Sequence, residues 1–225
     1  MNEYDSIEKK LTKSFFRVPS IMTVVALLVL IALIAISNRY SYALKNFGFA
    51  QGDIGKAMFE FADSRSSLRA AIGYDDADAI ATVVQQHNEN KVKFEEYFTI
   101  VENTIVSTDG RKTYDEISSE LNAYWALDQE IMKLGATTDR ELCRQAQDIA
   151  LQELAPAYTS IYSKLQSLLD VKVTEGNHLS TALIVTELIL IVVIVIVIAF
   201  SLTLSTKIGK KIAKGIASPL GKLGQ

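Results

Sequence analysis

The chain is poor in the residues that build cross-linked, metal-bound or loop-rich proteins. A single cysteine, Cys143, excludes a disulfide framework within the chain. There are two histidines, His87 and His178, far apart, and no His/Cys cluster has metal-ligand spacing. Three prolines and 11 glycines are too few for a collagen-like, linker-like or disordered chain. A glycine-rich phosphate loop, a nucleophile elbow and a His-Glu-x-x-His pair are all missing. The paired acids Asp75-Asp76 and Glu95-Glu96 are adjacent at a cap or along a helix, so they read as solvated charge. Nothing here points to an enzyme, a cofactor or a bound metal.

What is present is apolar sequence in two blocks. Arg17 and Arg39 enclose 21 uncharged residues, and Glu187 and Lys207 enclose 19. Each block is long enough to cross the ~30 Å hydrocarbon core as a helix. Charge divides along the same lines. Residues 1–17 carry +1, residues 207–225 carry +5 with no acid, and the stretch from Asn38 to Leu179 carries −8. Basic residues beside spans stay on the cytoplasmic face. The expected plan is therefore a cytoplasmic segment over 1–17, a first span over 18–38, an extracytoplasmic domain over 39–179, a second span over 180–206 and a cytoplasmic connector over 207–225. The first apolar run is too long for a signal peptide, and Ser37-Asn38-Arg39-Tyr40 is a poor cleavage site. The acidic domain argues against nucleic acid as a partner, because phosphate binding wants a basic face.

Between the spans the sequence reads as helix. Three turn clusters interrupt it: Gly73-Tyr74-Asp75, Ser107-Thr108-Asp109-Gly110 and Gly135-Ala136-Thr137. A start signal follows each one. Asp75 is placed to cap a second helix, and Thr113 with Glu116 and Thr138 with Glu141 match the capping box. Four helices result: one from the membrane to about Ile72, one over Asp76–Val106, one over Tyr114–Leu134, and one from Asp139 into the second span. Short loops make neighbours antiparallel, so the fold class is all-α, an antiparallel four-helix bundle roughly 50 Å tall flanked by two membrane helices.

Apolar residues alternate in threes and fours, as a bundle core requires. The stripes are Leu44, Phe47, Ile54, Met58, Phe61, Leu68 and Ile72; Ile80, Val84, Phe94, Phe98, Val101 and Ile105; Tyr114, Ile117, Leu121, Tyr124 and Ile131; and Leu151, Leu154, Tyr158, Ile161, Leu165 and Leu168. Pro156 is expected to bend the fourth helix, and upstream of Leu151 its stripe drifts toward Leu142, Ala146 and Ile149. Trp125 falls one position off its stripe and reads as a core aromatic, Cys143 as a small buried side chain, and Tyr158 and Tyr162 as core or rim. Glu187, two turns into the second span, needs a partner or a proton.

Polar residues on these stripes are where chemistry can sit. Gln51 and Arg65 occupy core positions of the first helix, His87 and Lys91 of the second, and Asp128 of the third. Counted from the distal loops, Arg65, His87, Asp128 and Gln152 fall at one height, with Arg69 a turn further out on Arg65's side. Two readings of this layer stand. In one, Arg65 and Asp128 are a buried ion pair bonded by His87 and Gln152. In the other, the layer lines a cavity in which Arg65 and Arg69 grip an anion, since the planar guanidinium fork matches a carboxylate. A third placement leaves Arg65 facing water.

Past the second span, Ile216, Pro219, Leu220 and Leu223 resemble the I-x-x-P-L-x-x-L opening of a HAMP linker. With the preceding architecture, the chain resembles the front end of a bacterial methyl-accepting chemotaxis protein with a four-helix-bundle sensor domain. Such proteins are homodimers that bind small molecules outside and control a cytoplasmic kinase through HAMP and a signalling hairpin. Asp63-Ser64-Arg65-Ser66-Ser67-Leu68-Arg69 resembles the segment whose three arginines hold amino-acid carboxylates in that family. This chain offers two arginines there, with Gly73 one turn beyond. The resemblance implies a ligand that is an amino acid or a simpler organic acid, held by Arg65 and Arg69, and the layer adds His87, Asp128 and Gln152. The same outer domain would serve a histidine kinase or cyclase front end, or a non-sensory adaptor bundle.

Overall fold

Three helices in this chain begin where a short polar side chain can reach back to a free backbone N–H. Asp76 accepts from the Ala79 amide at 2.8 Å and opens the helix Ala77–Glu102. Ser107 accepts from the Gly110 amide at 3.0 Å and opens Thr108–Gly135. Asp139 accepts from the amides of Glu141 and Leu142 at 2.9 and 3.3 Å and opens Arg140–Ile149. Each expected cap is displaced. Asp75 lies outside the helix and pairs with Arg140 at 3.0 Å. Thr113 sits inside its helix and donates to the Asp109 carbonyl at 3.0 Å. Asp139 does the work foreseen for Thr138, and its charge also suits the helix N-terminus. Gly110, read as a turn signal, is in the first turn of its helix. A Cβ there would press on Ser107 at 3.0 Å and Ile105 at 3.4 Å, so glycine permits close packing rather than breaking the helix.

A computed structural model describes the backbone from Glu3 to Leu223 and the side chains of residues 16, 17 and 19–214. The helices are α1 (Glu3–Ala43), α2 (Phe49–Ala71), α3 (Ala77–Glu102), α4 (Thr108–Gly135), α5 (Arg140–Ile149) and α6 (Ala155–Leu223). Single π-helical turns join α1 to α2 (Leu44–Gly48) and α5 to α6 (Ala150–Leu154). Tyr42–Ser180 forms one compact unit, and the segments up to Ser41 and from Thr181 form another. The HAMP-like side chains Ile216, Pro219, Leu220 and Leu223 lie outside those described.

The first unit is the bundle, all-α as expected. Its core is the apolar stripe of each helix, with Ile54, Phe61, Leu68, Phe94, Val101, Ile117, Ile131, Ile161 and Leu168 fully excluded from solvent. Phe61 lies at the centre. Its ring centroid is 5.2 Å from Phe94 of α3, 4.9 Å from Tyr124 of α4 and 5.0 Å from Tyr158 of α6. Trp125 completes the cluster at 5.8 Å and is buried. Two stripe residues face outward instead, Leu44 at 53% and Leu151 at 72% exposure. Both lie in π turns. A π turn inserts one residue, so it moves the stripe around the helix. The second π turn also explains the drift upstream of Leu151. Pro156 cannot bond to a carbonyl in the preceding turn and would clash with it, and the wider turn before it takes up the misfit.

In the second unit, α1 and α6 are each long and apolar enough to cross a membrane. Ser20, Thr23, Thr186 and Thr203 donate their hydroxyls to carbonyls of the preceding turn, which satisfies these four hydroxyls within the helix. Glu187 accepts from the Tyr40 hydroxyl at 3.2 Å, which supplies the partner an acid in a span requires.

The distal end of the bundle has no slack at Gly135. A Cβ there would stand 2.3 Å from Ala146 Cβ and 2.8 Å from Ile72 Cγ2, both short side chains that cannot swing away. Gly135→Ala is expected to lower stability by about 1–3 kcal/mol, the usual cost of overpacking. Thermal unfolding of the chain in detergent micelles reads this directly, and an unchanged midpoint would mean that α4 and α5 separate without cost.

Candidate functional site

The π turn Ala150–Leu154 faces the last turns of α2, and a groove of about 510 Å³ lies between them. Arg65, Leu68, Arg69 and Ile72 form one wall, and Gln147, Ala150, Leu151, Leu154 and Ala155 form the other. Arg65 and Arg69 line the same groove because four residues make about one helical turn. Arg65 is half-buried, with its guanidinium carbon 4.1 Å from the Tyr158 ring centroid. Arg69 is exposed. Gln147 donates to the Ile72 carbonyl at 2.7 Å and so ties α5 to the end of α2. Gln152 is exposed on the π turn and is not among the lining residues. The extra residue of the π turn rotates it away and leaves Gln147 in the groove.

Beside this groove, inside the bundle, lies the rest of the expected layer. Asp128 pairs with His87, not with Arg65: His87 Nε2 is 2.8 Å from Asp128 Oδ2, and the two residues are 3% and 2% exposed. His87 Nδ1 is 2.9 Å from the Ser64 carbonyl oxygen and 3.2 Å from the Ser64 hydroxyl. The buried pair thus joins α3 to α4, and Ser64 ties both to α2. Lys91, the other basic residue on the α3 stripe, lies over the Trp125 ring at 4.9 Å. Two buried oxygens in this region have no bonding partner, Asp128 Oδ1 and the Tyr124 hydroxyl. Burial pushes the Tyr124 hydroxyl well above the ordinary phenol range, and the Asp128 charge adds to the shift. Burial also raises Tyr158, with Arg65 pulling it back.

One buried charge escapes the sequence reading. Lys172 of α6 is fully enclosed and donates to the Thr104 carbonyl, 5.4 Å from the Phe47 ring. It falls four residues after Leu168, so extending the fourth stripe by one turn would have found it. Burial lowers its pKa, with Glu175 acting in the opposite direction. Gln51, the other polar residue of the α2 stripe, donates to the Lys172 carbonyl at 3.5 Å. Cys143 is buried, as expected, against the carbonyls of Gly135 and Thr137.

A chain of this kind, with a helical bundle that carries a polar groove and two long apolar helices, matches a known family model over residues 6–183. The model describes a four-helix-bundle sensory module for signal transduction, the module of methyl-accepting chemotaxis proteins. The chain belongs to this family. No curated protein and no solved structure matches it. Membership makes this sensory module a receptor domain of signal transduction rather than a catalytic one. Its two long apolar helices agree with a membrane receptor.

The unpartnered Tyr124 hydroxyl sets a test of the sensory module's core. Removing a buried hydroxyl that makes no bond relieves a desolvation cost of about 1–3 kcal/mol. Tyr124→Phe is therefore expected to leave the unfolding midpoint unchanged or raise it. A clear fall would mean that the hydroxyl has a partner.

Proposed function

We propose that this chain is the front end of a transmembrane chemoreceptor whose outer bundle binds a small carboxylate, an organic acid or an amino acid, in the groove between α2 and the π turn. The observation that carries this reading is the pair Arg65 and Arg69 on one groove wall. The half-buried Arg65, stacked on Tyr158, is pre-aimed and loses little freedom on binding. Arg69, out in solvent, draws the anion in. A ligand bridging α2 and the π turn favours one packing of those elements over another. The π turn suits that role, because its extra residue lets the helix shift in small steps. Displacement then passes along α6, a single helix from Ala155 to Leu223, toward a HAMP unit and the cytoplasmic signalling machinery. The +5 segment after the second span supports a two-pass protein with both termini cytoplasmic and the bundle outside.

Homodimers through α2 fit the same reading. Phe49 and Phe59 are 65% and 61% exposed, and Gly52 and Gly55 on the same side of the helix face open space. Such a face suits a second copy of itself.

Calorimetry of the chain in detergent against short mono- and dicarboxylates and amino acids tests the ligand class. At least one is expected to bind, and Arg65→Ala or Arg69→Ala should each weaken it about tenfold or more, the worth of one charge-assisted hydrogen bond. A panel without a binder, or a binder indifferent to both substitutions, would remove the reading. For the dimer, Gly52→Cys is expected to form an interchain disulfide at a rate that changes with bound ligand. Lys93→Cys on exposed α3 is the control that should not crosslink. Equal crosslinking at both positions would count against the α2 interface.

A further inference from the structure

The ring of His87 faces hydrogen-bond acceptors on both sides. Its Nδ1 meets a backbone carbonyl oxygen at 2.9 Å and its Nε2 meets a carboxylate oxygen at 2.8 Å. Neither oxygen can donate. To bond both of these oxygens at once, both ring nitrogens must carry hydrogen, and only the imidazolium does. A neutral ring facing these two oxygens alone would set a lone pair against one of them, at a buried site: His87 is 3% and Asp128 2% exposed.

The site is also built to accept the other charge state. The Ser64 hydroxyl lies 3.2 Å from Nδ1, on the same residue that offers the carbonyl. Turned toward the ring, it donates to an unprotonated Nδ1 while Nε2–H still donates to Asp128. One serine thus serves both forms, the carbonyl binding the cation and the hydroxyl binding the neutral ring. A histidine fixed purely for structure needs just one of these partners.

We propose that His87 is a second input site of this sensory module, that its ligand is the proton, and that its occupancy sets the strength of the clamp between α3 and α4. The groups around it settle what proton loss does. On α3, Lys91 is the neighbouring cation and works against the ring's charge. On α4 stand Asp128 and the Tyr124 phenol. From α2 and α6, Arg65 and Tyr158 act on Tyr124 from the groove side. With the proton on, His87 and Asp128 cancel. With it off, Asp128 is a buried carboxylate whose Oδ1 already has no partner, and an uncompensated buried charge is strongly unfavourable. The cost falls on the α3–α4 contact. Burial on its own would lower the His87 pKa, but the bond to Asp128, the Asp128 charge and the Ser64 carbonyl outweigh it and hold the pKa above the ordinary 6.5. A raised histidine stabilises the fold fully below its unfolded value and stops doing so as pH rises through its folded value. The clamp is thus tight in mild acid and loosens toward alkali. This input needs no ligand in the Arg65 groove and stands or falls separately from it.

The chain has two histidines, so His178→Gln leaves His87 as the sole imidazole. Nitrogen-15 spectra of the histidine-labelled full chain in micelles, from about pH 5 to about pH 9, then report both ring nitrogens across the histidine range. Both are expected to be protonated in mild acid, with a midpoint above 6.5. Asp128→Asn should lower that midpoint by about one unit or more, because burial then acts with less opposition. Ser64→Ala should raise it, since the neutral ring loses its donor. The unfolding midpoint of the otherwise native chain should fall as pH rises through the transition, and His87→Gln should flatten that fall. A neutral ring at pH 6.5, or a Ser64→Ala midpoint that is unchanged or lowered, would overturn the proposal even if Asp128→Asn fails to fold.

Discussion

Phe61 is the constraint on which the bundle turns. It is the side chain of α2 that meets an aromatic ring from α3, α4 and α6 alike, and it has no exposure to solvent. Aromatic pairs at these separations add to the burial itself, so the helices are registered here more firmly than along their aliphatic stripes. The functional geometry follows from that register. Ser64 and Arg65 come three and four residues after Phe61 and lie one turn away on neighbouring sides of α2. One reaches in to His87, and the other rests on Tyr158 at the edge of the groove. A polar layer and a groove stand side by side because a single ring sets the height of both.

The four-helix bundle, the two long apolar helices and most of the core were legible from spacing and composition alone. Periodicity is a property of whole segments, and one misplaced residue does not hide it. Tyr114, Ile117, Leu121, Tyr124 and Ile131 all sit where the third stripe put them. Caps were less legible. Asp75 and Asp76 are chemically equivalent, and the choice between them depends on which residue adopts an extended backbone. Leu44, Leu151 and Gln152 were misplaced for one shared reason: a π turn shifts register by a residue, and nothing in local composition announces it. Asp128 was found as a buried acid, but its partner was not. Arg65 and His87 both lie at its height, and the rotation of each helix decides which of them reaches it. The long arginine leans outward over Tyr158, whereas the shorter histidine stays in the core.

The charges of the bundle are graded by depth, and this grading orders the module's behaviour. Arg69 is free in water, Arg65 is half-sheltered, and His87 with Asp128 is sealed. Exposed charge acts at long range and weakens with salt, whereas sealed charge acts locally and hardly feels salt. Toward the other end of the bundle, Lys172 repeats the sealed arrangement with the Thr104 carbonyl as acceptor. Buried polar contacts of this kind add little to net stability, but removing one partner of such a contact is strongly unfavourable. Two such contacts stand at separate levels of one bundle.

The two π turns carry a consequence for how this architecture changes in evolution. Each is an inserted residue held inside a continuous helix. Loss of one codon from either segment would return the helix to ordinary hydrogen bonding, with no loop to rebuild. It would also rotate everything beyond the lesion by about 100° relative to what came before. Substitutions alter a groove one side chain at a time. A single-residue deletion here would re-deal an entire helix face, exchanging Gln147 for its neighbours while the aromatic centre kept its place. Such length changes are therefore a short genetic route to a differently lined groove on the same bundle.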